Sequence, residues 1–183
     1  MSWRLRPADG DDLAAIMDLE VDVFPSDAWS RTMMEAELNS EHTVYLVAVT
    51  GGALDEPRAD GTREGQRIVG YAGLLAPSRS TDAEIQTIAV TPSERRTGLG
   101  RALMNVLLDT AAERGAQTVF LEVREDNPAA QNLYRSLGFE ELGVRPHYYQ
   151  PDDVSAIIMR RAIPSQHPGQ HPVRHSSRFG GSA

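Results

Sequence analysis

The segment Thr87–Met104 constrains the fold of this chain more than any other. A β-branched, apolar run ends at Val90, a polar turn with two arginines and two glycines follows, and an amphipathic pattern starts at Leu99. A strand feeding a glycine-containing turn that opens a helix gathers backbone N–H groups at one point, where the helix carries partial positive charge. Such a place suits a phosphate. Gly98 and Gly100 let a ligand approach the backbone with no Cβ in the way. The spacing Arg95-x-x-Gly98-x-Gly100 is not the Walker A pattern, because no Gly-Lys-Ser/Thr follows, and it lacks the three-glycine dinucleotide spacing. On their own these residues fit a diphosphate-binding loop and a plain strand-to-helix turn with surface arginines equally well.

Composition narrows the choice. The 183 residues suffice for one α/β domain with its own core. The absence of cysteine removes disulfides, thiolate metal sites and a cysteine nucleophile together. No apolar run approaches the ~20 residues that cross a bilayer, and Met1–Pro7 has no apolar core of signal-peptide length. These features predict a soluble, cytoplasmic protein with no membrane partner. The formal charge is −8, and the last twenty residues hold Arg174 and Arg178 with no acid, leaving −10 on Met1–Ile163. A body this acidic is a poor general binder of nucleic acid. It suits a basic peptide or a polyamine, or simply keeps the protein soluble.

The pattern along the chain predicts a short strand at Arg4–Pro7 and a helix over Asp12–Val23 with Leu13, Ile16, Met17 and Leu19 on its apolar face. Ser30 caps a second helix with Met33, Met34 and Leu38 turned inward. Strands are expected at Thr43–Val49, Ile68–Leu75 and Asp82–Val90, with Gly51–Gln66 as a long flexible hairpin loop. The helix Leu99–Glu113 buries Leu99, Ala102, Leu103, Val106, Leu107 and Thr110. Thr118–Val123, nearly all apolar, reads as a central strand buried on both faces. Pro128 opens a helix that Gly138 stops. Phe139–Val144 and Ser155–Arg160 form a closing antiparallel pair. Residues 1–163 make one domain, and Pro164–Ala183 is expected to be a disordered tail. Its His167, His171 and His175 are not expected to bind metal, because Pro168 and Pro172 prevent the helix that would align them.

The order of elements around the glycine turn resembles the GNAT acyltransferases, over about Arg4–Ile163. The likeness sharpens at Leu121-Glu122-Val123-Arg124, Asn127, Ala129-Ala130 and Leu133-Tyr134-Arg135-Ser136-Leu137-Gly138-Phe139. With Arg145-Pro146-His147-Tyr148-Tyr149 and Phe24-Pro25 through Trp29-Ser30, it is similar to the RimI group, enzymes that acetylate the N-terminal alanine of a small-subunit ribosomal protein. The resemblance implies an α+β GNAT fold, a mixed and mostly antiparallel central sheet flanked by helices. It implies acetyl-CoA as co-substrate, with Ile88, Ala89 and Val90 along its pantetheine arm, Arg95, Arg96, Thr97, Gly98, Leu99, Gly100 and Arg101 around its pyrophosphate, and Asn127 on its arm. Asn127 also reads as a helix cap. The loop at 51–66 and the tail have no counterpart in the family pattern.

Acetyl transfer needs a neutral amine and a proton for the departing thiolate. An N-terminal amine has a pKa of ~8 and must lose a proton to a general base. Glu122 is the candidate, the one charge before Arg124 in an apolar strand; the alternative is a structural acid paired with an arginine such as Arg124, which shares its face. Tyr134 is the candidate acid, since a phenol donates readily to a thiolate; the alternative is a core aromatic. Phe24, Trp29, Tyr148 and Tyr149 frame the acceptor, or are core residues with one exposed tyrosine. Glu84 and Glu35 are further acids able to meet a positive substrate. With no Cys and no evident Ser-His pair, direct transfer without a covalent enzyme intermediate is expected. The alternatives are a GNAT acting on a small amine (polyamine, amino sugar or amino acid) and a non-catalytic acyl-CoA sensor.

Overall fold

The computed structural model describes residues 3–51 and 65–164. Its elements are β1 (Arg4–Pro7), α1 (Leu13–Val23), α2 (Arg31–Leu38), β2 (Thr43–Thr50), β3 (Arg67–Leu75), β4 (Asp82–Val90), α3 (Leu99–Glu113), β5 (Thr118–Arg124), α4 (Pro128–Ser136), β6 (Glu140–Tyr149) and β7 (Val154–Ala162). They build one sheet in the order β1-β2-β3-β4-β5-β7-β6. Every neighbouring pair is antiparallel except β4 and β5, which are parallel and joined through α3. The expected mixed, mostly antiparallel sheet is present. Most of the expected Gly51–Gln66 loop, residues 52–64, and the tail from 165 onward, with its three histidines, lie outside the described residues.

Local chemistry sets the helix ends. Asp9 and Asp12 form a capping box over the short turn that precedes α1, and Arg6 grips both Asp12 oxygens at 2.6 and 2.7 Å. Ser30 accepts from the Met33 N–H at the start of α2. Asn127 accepts from the Ala130 N–H, with Pro128 in the first turn of α4.

Helices lie on both faces. α1 and α2 pack on one face of β2–β4 through Leu13, Ile16, Leu19 and Met34, against Tyr45, Val47 and Tyr71. α3 and α4 cover the other face with Leu99, Leu103, Met104, Leu107 and Tyr134. Three details differ from the sequence reading. The buried stripe of α3 runs through Met104, Leu108 and Ala111, while Val106 is exposed; the helix is buried over a wider arc, rotated from the expected stripe. Met33 is exposed, and Met34 alone of the α2 methionines is fully buried. β5 is not buried on both faces: Val119, Leu121 and Val123 are buried, whereas Thr118, Phe120, Glu122 and Arg124 are half-buried. α1 and α2 make their main sheet contacts with β2, β3 and β4, and on that side Glu122 and Arg124 of β5 instead meet Arg145, Asp152 and Asp27.

Candidate active site

The site is created by a defect in β4. Its register against β3 runs Gly73–Thr87 and then Leu74–Ile85, so Gln86 is an extra residue. Such a bulge bends a strand and increases its twist. It also breaks the alternation of side chains. Ala83, Ile85, Ile88 and Val90 all belong to the α3 side. Gln86 and Thr87 both reach the α1 side, where they meet the hydroxyls of Tyr45 and Tyr71. β4 and β5 pair only from Asp82–Thr118 to Ile85–Leu121, although the strands run on to Val90 and Arg124. Beyond Ile85 the two parallel strands diverge. The β4 backbone from Gln86 to Val90 therefore has no strand opposite it on the β5 side, an edge that an extended amide chain can join.

The glycine turn lies at the end of this opening. Gly98 sits at φ +93° as the residue before α3, and nothing lies within 4 Å of the place a Cβ would occupy. Arg95, Arg96 and Thr97 are exposed there, and Arg95 Nε donates to the Val90 carbonyl at 3.2 Å. A strongly anionic diphosphate fits this open, positively charged start of a fifteen-residue helix. Other expected loop residues have further duties. Leu99 is fully buried in the core. Gly100 lies where a Cβ would come within 3.3 Å of Leu133 Cδ2, so its smallness serves the α3–α4 contact. Arg101 donates to Ser136 Oγ at 2.8 Å. Asn127 is the exposed cap of α4.

Gly98→Ala tests the loop. A Cβ at this φ costs on the order of 1 kcal/mol and intrudes on the open space. Calorimetry should show acetyl-CoA affinity falling about tenfold, equivalent to ~1.4 kcal/mol.

Two titratable groups lie on opposite faces of the sheet. Glu122 lies on the α1 side and is not alone: Arg145 Nη1 contacts its Oε1 at 2.7 Å, and Tyr148 is near enough for Glu122 to push its phenol up. Arg145 also stands 4.9 Å from the Tyr148 ring centroid. Arg124 is not its partner. That guanidinium reaches Asp27 (3.6 Å), Asp126 (3.0 Å) and Asp152 (3.0 Å) and stands 5.1 Å from the Tyr149 ring centroid. Glu84, on the neighbouring strand, has its carboxyl pushed up by burial and then by Glu122, against the pull of Arg145. Tyr134 lies on the α3 side, buried beside Phe139 at a centroid distance of 6.0 Å. Burial pushes its phenol well above the ordinary value, with the nearby Tyr149 adding to the effect. Tyr149, itself half-buried, is pushed up to about 12, first by burial and then by Glu122.

The expected acceptor residues converge on the α1 side. Phe24 and Trp29 are half-buried at the rim of the α1 core, so part of the core reading holds for them. Tyr148 and Tyr149 pack edge to face at 5.2 Å from the end of β6. The two segments that carry them are tied together, because Ser26 Oγ donates to Asp152 at 2.7 Å and Arg124 bridges Asp27 and Asp152. Glu35 is exposed on α2. Sequence reasoning did not assign Arg145, Asp27 or Asp152 a role. Only the position of Arg145, three residues before the tyrosine pair, hinted at one.

Residues 13–139 match the model of the acetyltransferase (GNAT) family. A Mycobacterium tuberculosis protein named N-alpha-acetyltransferase RimI is 40% identical over 147 residues, 79% of this chain and 82% of that one. An uncharacterized Mycobacterium leprae protein is 38% identical over 160 residues, 86% of this chain; the chain spans only 39% of that relative's length. The crystal structure of the ribosomal-protein-S18-alanine N-acetyltransferase from Escherichia coli superposes with a TM-score of 0.73 at 29% identity, covering 93% of this chain and 98% of that one. A bulged β4 parting from β5, a glycine turn opening α3 and a family match across most of the described residues make one conclusion: the chain belongs to the acetyltransferase (GNAT) family.

Proposed function

We propose that the protein transfers the acetyl group of acetyl-CoA to the N-terminal α-amine of a protein, and that its acceptor is a small-subunit ribosomal protein beginning with alanine, in the cytoplasm. The observation that carries this reading is the opening between β4 and β5, with a carboxylate on one face and a buried phenol on the other. Acetyl-CoA supplies the acyl group as a thioester. Ile88, Ala89 and Val90 hold its arm through their backbone, the Val90 N–H polarises the acyl carbonyl, and the Arg95–Arg101 turn holds its diphosphate. Asn127 also contacts the arm.

Glu122 removes a proton from the ammonium or the attacking amine, directly or through one water. The new N–C bond forms as the C–S bond breaks. Tyr134 gives its proton to the departing sulfur, for which its raised pKa keeps it protonated. Arg145 holds Glu122 in place. An extended peptide lies along the α1 side of the sheet beside Phe24, Trp29, Tyr148 and Tyr149. The names of the M. tuberculosis and E. coli relatives support both the reaction and the acceptor.

The test offers acetyl-CoA with an Ala-Arg-Tyr-Phe peptide, spermidine, or a lysine peptide with a blocked N-terminus, and follows free thiol. Turnover of the first alone is expected. Turnover of spermidine alone establishes a small-amine enzyme, and acetyl-CoA binding without turnover of any acceptor establishes a sensor.

A further inference from the structure

Glu20 lies outside the transfer site, yet it is fully buried on the inner face of α1. An unpaired carboxyl in such a place is strongly disfavoured, and burial is the first cause of its raised pKa. Both of its oxygens are engaged, by different parts of the fold. Oε1 accepts the backbone N–H of Trp29 at 2.9 Å. Oε2 accepts the hydroxyl of Tyr71, a fully buried residue of β3. The same hydroxyl lies 3.3 Å from Thr87 Oγ1 on β4. Thr87 immediately follows the bulge residue Gln86 and immediately precedes Ile88.

A continuous polar chain therefore runs Trp29–Glu20–Tyr71–Thr87 through an otherwise apolar layer. One end is the segment proposed to face the acceptor. The other is the stretch of β4 proposed to hold the acyl donor. An apolar residue of similar size packs a core without desolvating a charge. A carboxyl supplies what an apolar residue cannot, two acceptors at one point aimed at two separate elements.

We infer that Glu20 is a positioning residue that fixes the acceptor-side segment Phe24–Ser30 at a set distance from the donor strand β4. The inference rests on the acetyl-transfer reading above. It assigns Glu20 no contact with substrate. Its effect passes through the Trp29 amide on one side and through Tyr71 and Thr87 on the other.

The test compares Glu20→Leu, Glu20→Gln and Tyr71→Phe in the full chain. Glu20→Leu should lower kcat/KM for the Ala-Arg-Tyr-Phe peptide about thirtyfold, with acetyl-CoA affinity within twofold of wild type. Glu20→Gln should recover activity to within about threefold, because its carbonyl accepts from Trp29 and its amide bonds the Tyr71 oxygen. Tyr71→Phe, which cuts only the donor arm, should lower kcat while leaving the peptide KM unchanged. An independent readout uses a Trp3→Phe background, in which Trp29 is the one remaining indole. Glu20→Leu should raise acrylamide quenching of Trp29 at least twofold, and Glu20→Gln should not.

If Glu20→Leu and Tyr71→Phe bind acetyl-CoA normally and keep wild-type kcat and peptide KM, the inference is overturned and Glu20 merely staples the core. If Glu20→Leu fails to fold, Tyr71→Phe decides on the same criteria: a lowered kcat supports the inference, and wild-type kcat and peptide KM overturn it. If wild type binds acetyl-CoA but acetylates no peptide, the proposed function falls instead. Unchanged Trp29 quenching in Glu20→Leu then overturns the inference by itself.

Discussion

Tyr134→Phe should lower kcat at least a hundredfold while leaving acetyl-CoA affinity within about twofold. The substitution removes one hydroxyl and keeps the ring that packs against Phe139, so the fold and the donor cleft survive. What is lost is the proton for the departing sulfur, and general acid catalysis contributes roughly 10²–10⁴. The pH profile supplies a second check. Burial raises the phenol above its ordinary value, so the proton is present throughout the neutral and mildly alkaline range. The activity of wild type should rise as the acceptor amine, with a pKa of ~8, loses its own proton, and then stay level to about pH 10. The stability linkage has the matching sign. Because the native pKa lies above the unfolded ~10, this tyrosine costs no stability below that pH, and stability declines above it as the unfolded phenol ionises first. A wild-type kcat unchanged by Tyr134→Phe removes the acid role.

Glu122→Gln is the second large effect, a fall in kcat/KM for the peptide of about 10²–10³, in the range of a lost general base. Glutamine keeps a carbonyl for Arg145 to bond, so the local geometry changes little and the loss reports the base itself. Circular dichroism and acetyl-CoA titration should both match wild type. The result is most informative when repeated at rising pH. If the base serves to deprotonate the amine, the deficit should shrink above pH 9, where most of the amine is already neutral. A deficit that is constant with pH points to orientation of the amine in place of proton removal.

Much of this architecture is legible in the sequence because local rules and tertiary packing agree. The β-branched runs, the Ser30 and Asn127 caps, Pro128 and the glycine turn each specify one structure. The rest depends on facts that no short window contains. Thr118–Val123 reads as doubly buried because its composition is apolar, but burial of Phe120 depends on how far α1 and α2 extend across the sheet. Val106 is apolar and exposed for a similar reason, since the arc of α3 that faces the sheet is set by its docking angle. The ion partner of Glu122 stands twenty-three residues away, not two as in the alternative that paired it with Arg124, on a strand that arrives beside β5 only through β7. Glu20 was hidden because a helix position among apolar neighbours gives no sign that its two oxygens meet partners from other elements.

The surplus residue in β4 also determines which side chains each half of the molecule sees. Removing Gln86 would restore strict alternation. Ile88 and Val90 would stay on the α3 side and Thr87 and Ala89 on the α1 side, now in unbroken alternation, and the seam between the parallel strands would be free to close along its whole length. An uninterrupted sheet of this composition would be a good scaffold with no doorway. On the proposed reading the chemistry depends on this one extra position, and shortening the strand by one residue should be harder for the protein to tolerate than most substitutions within it.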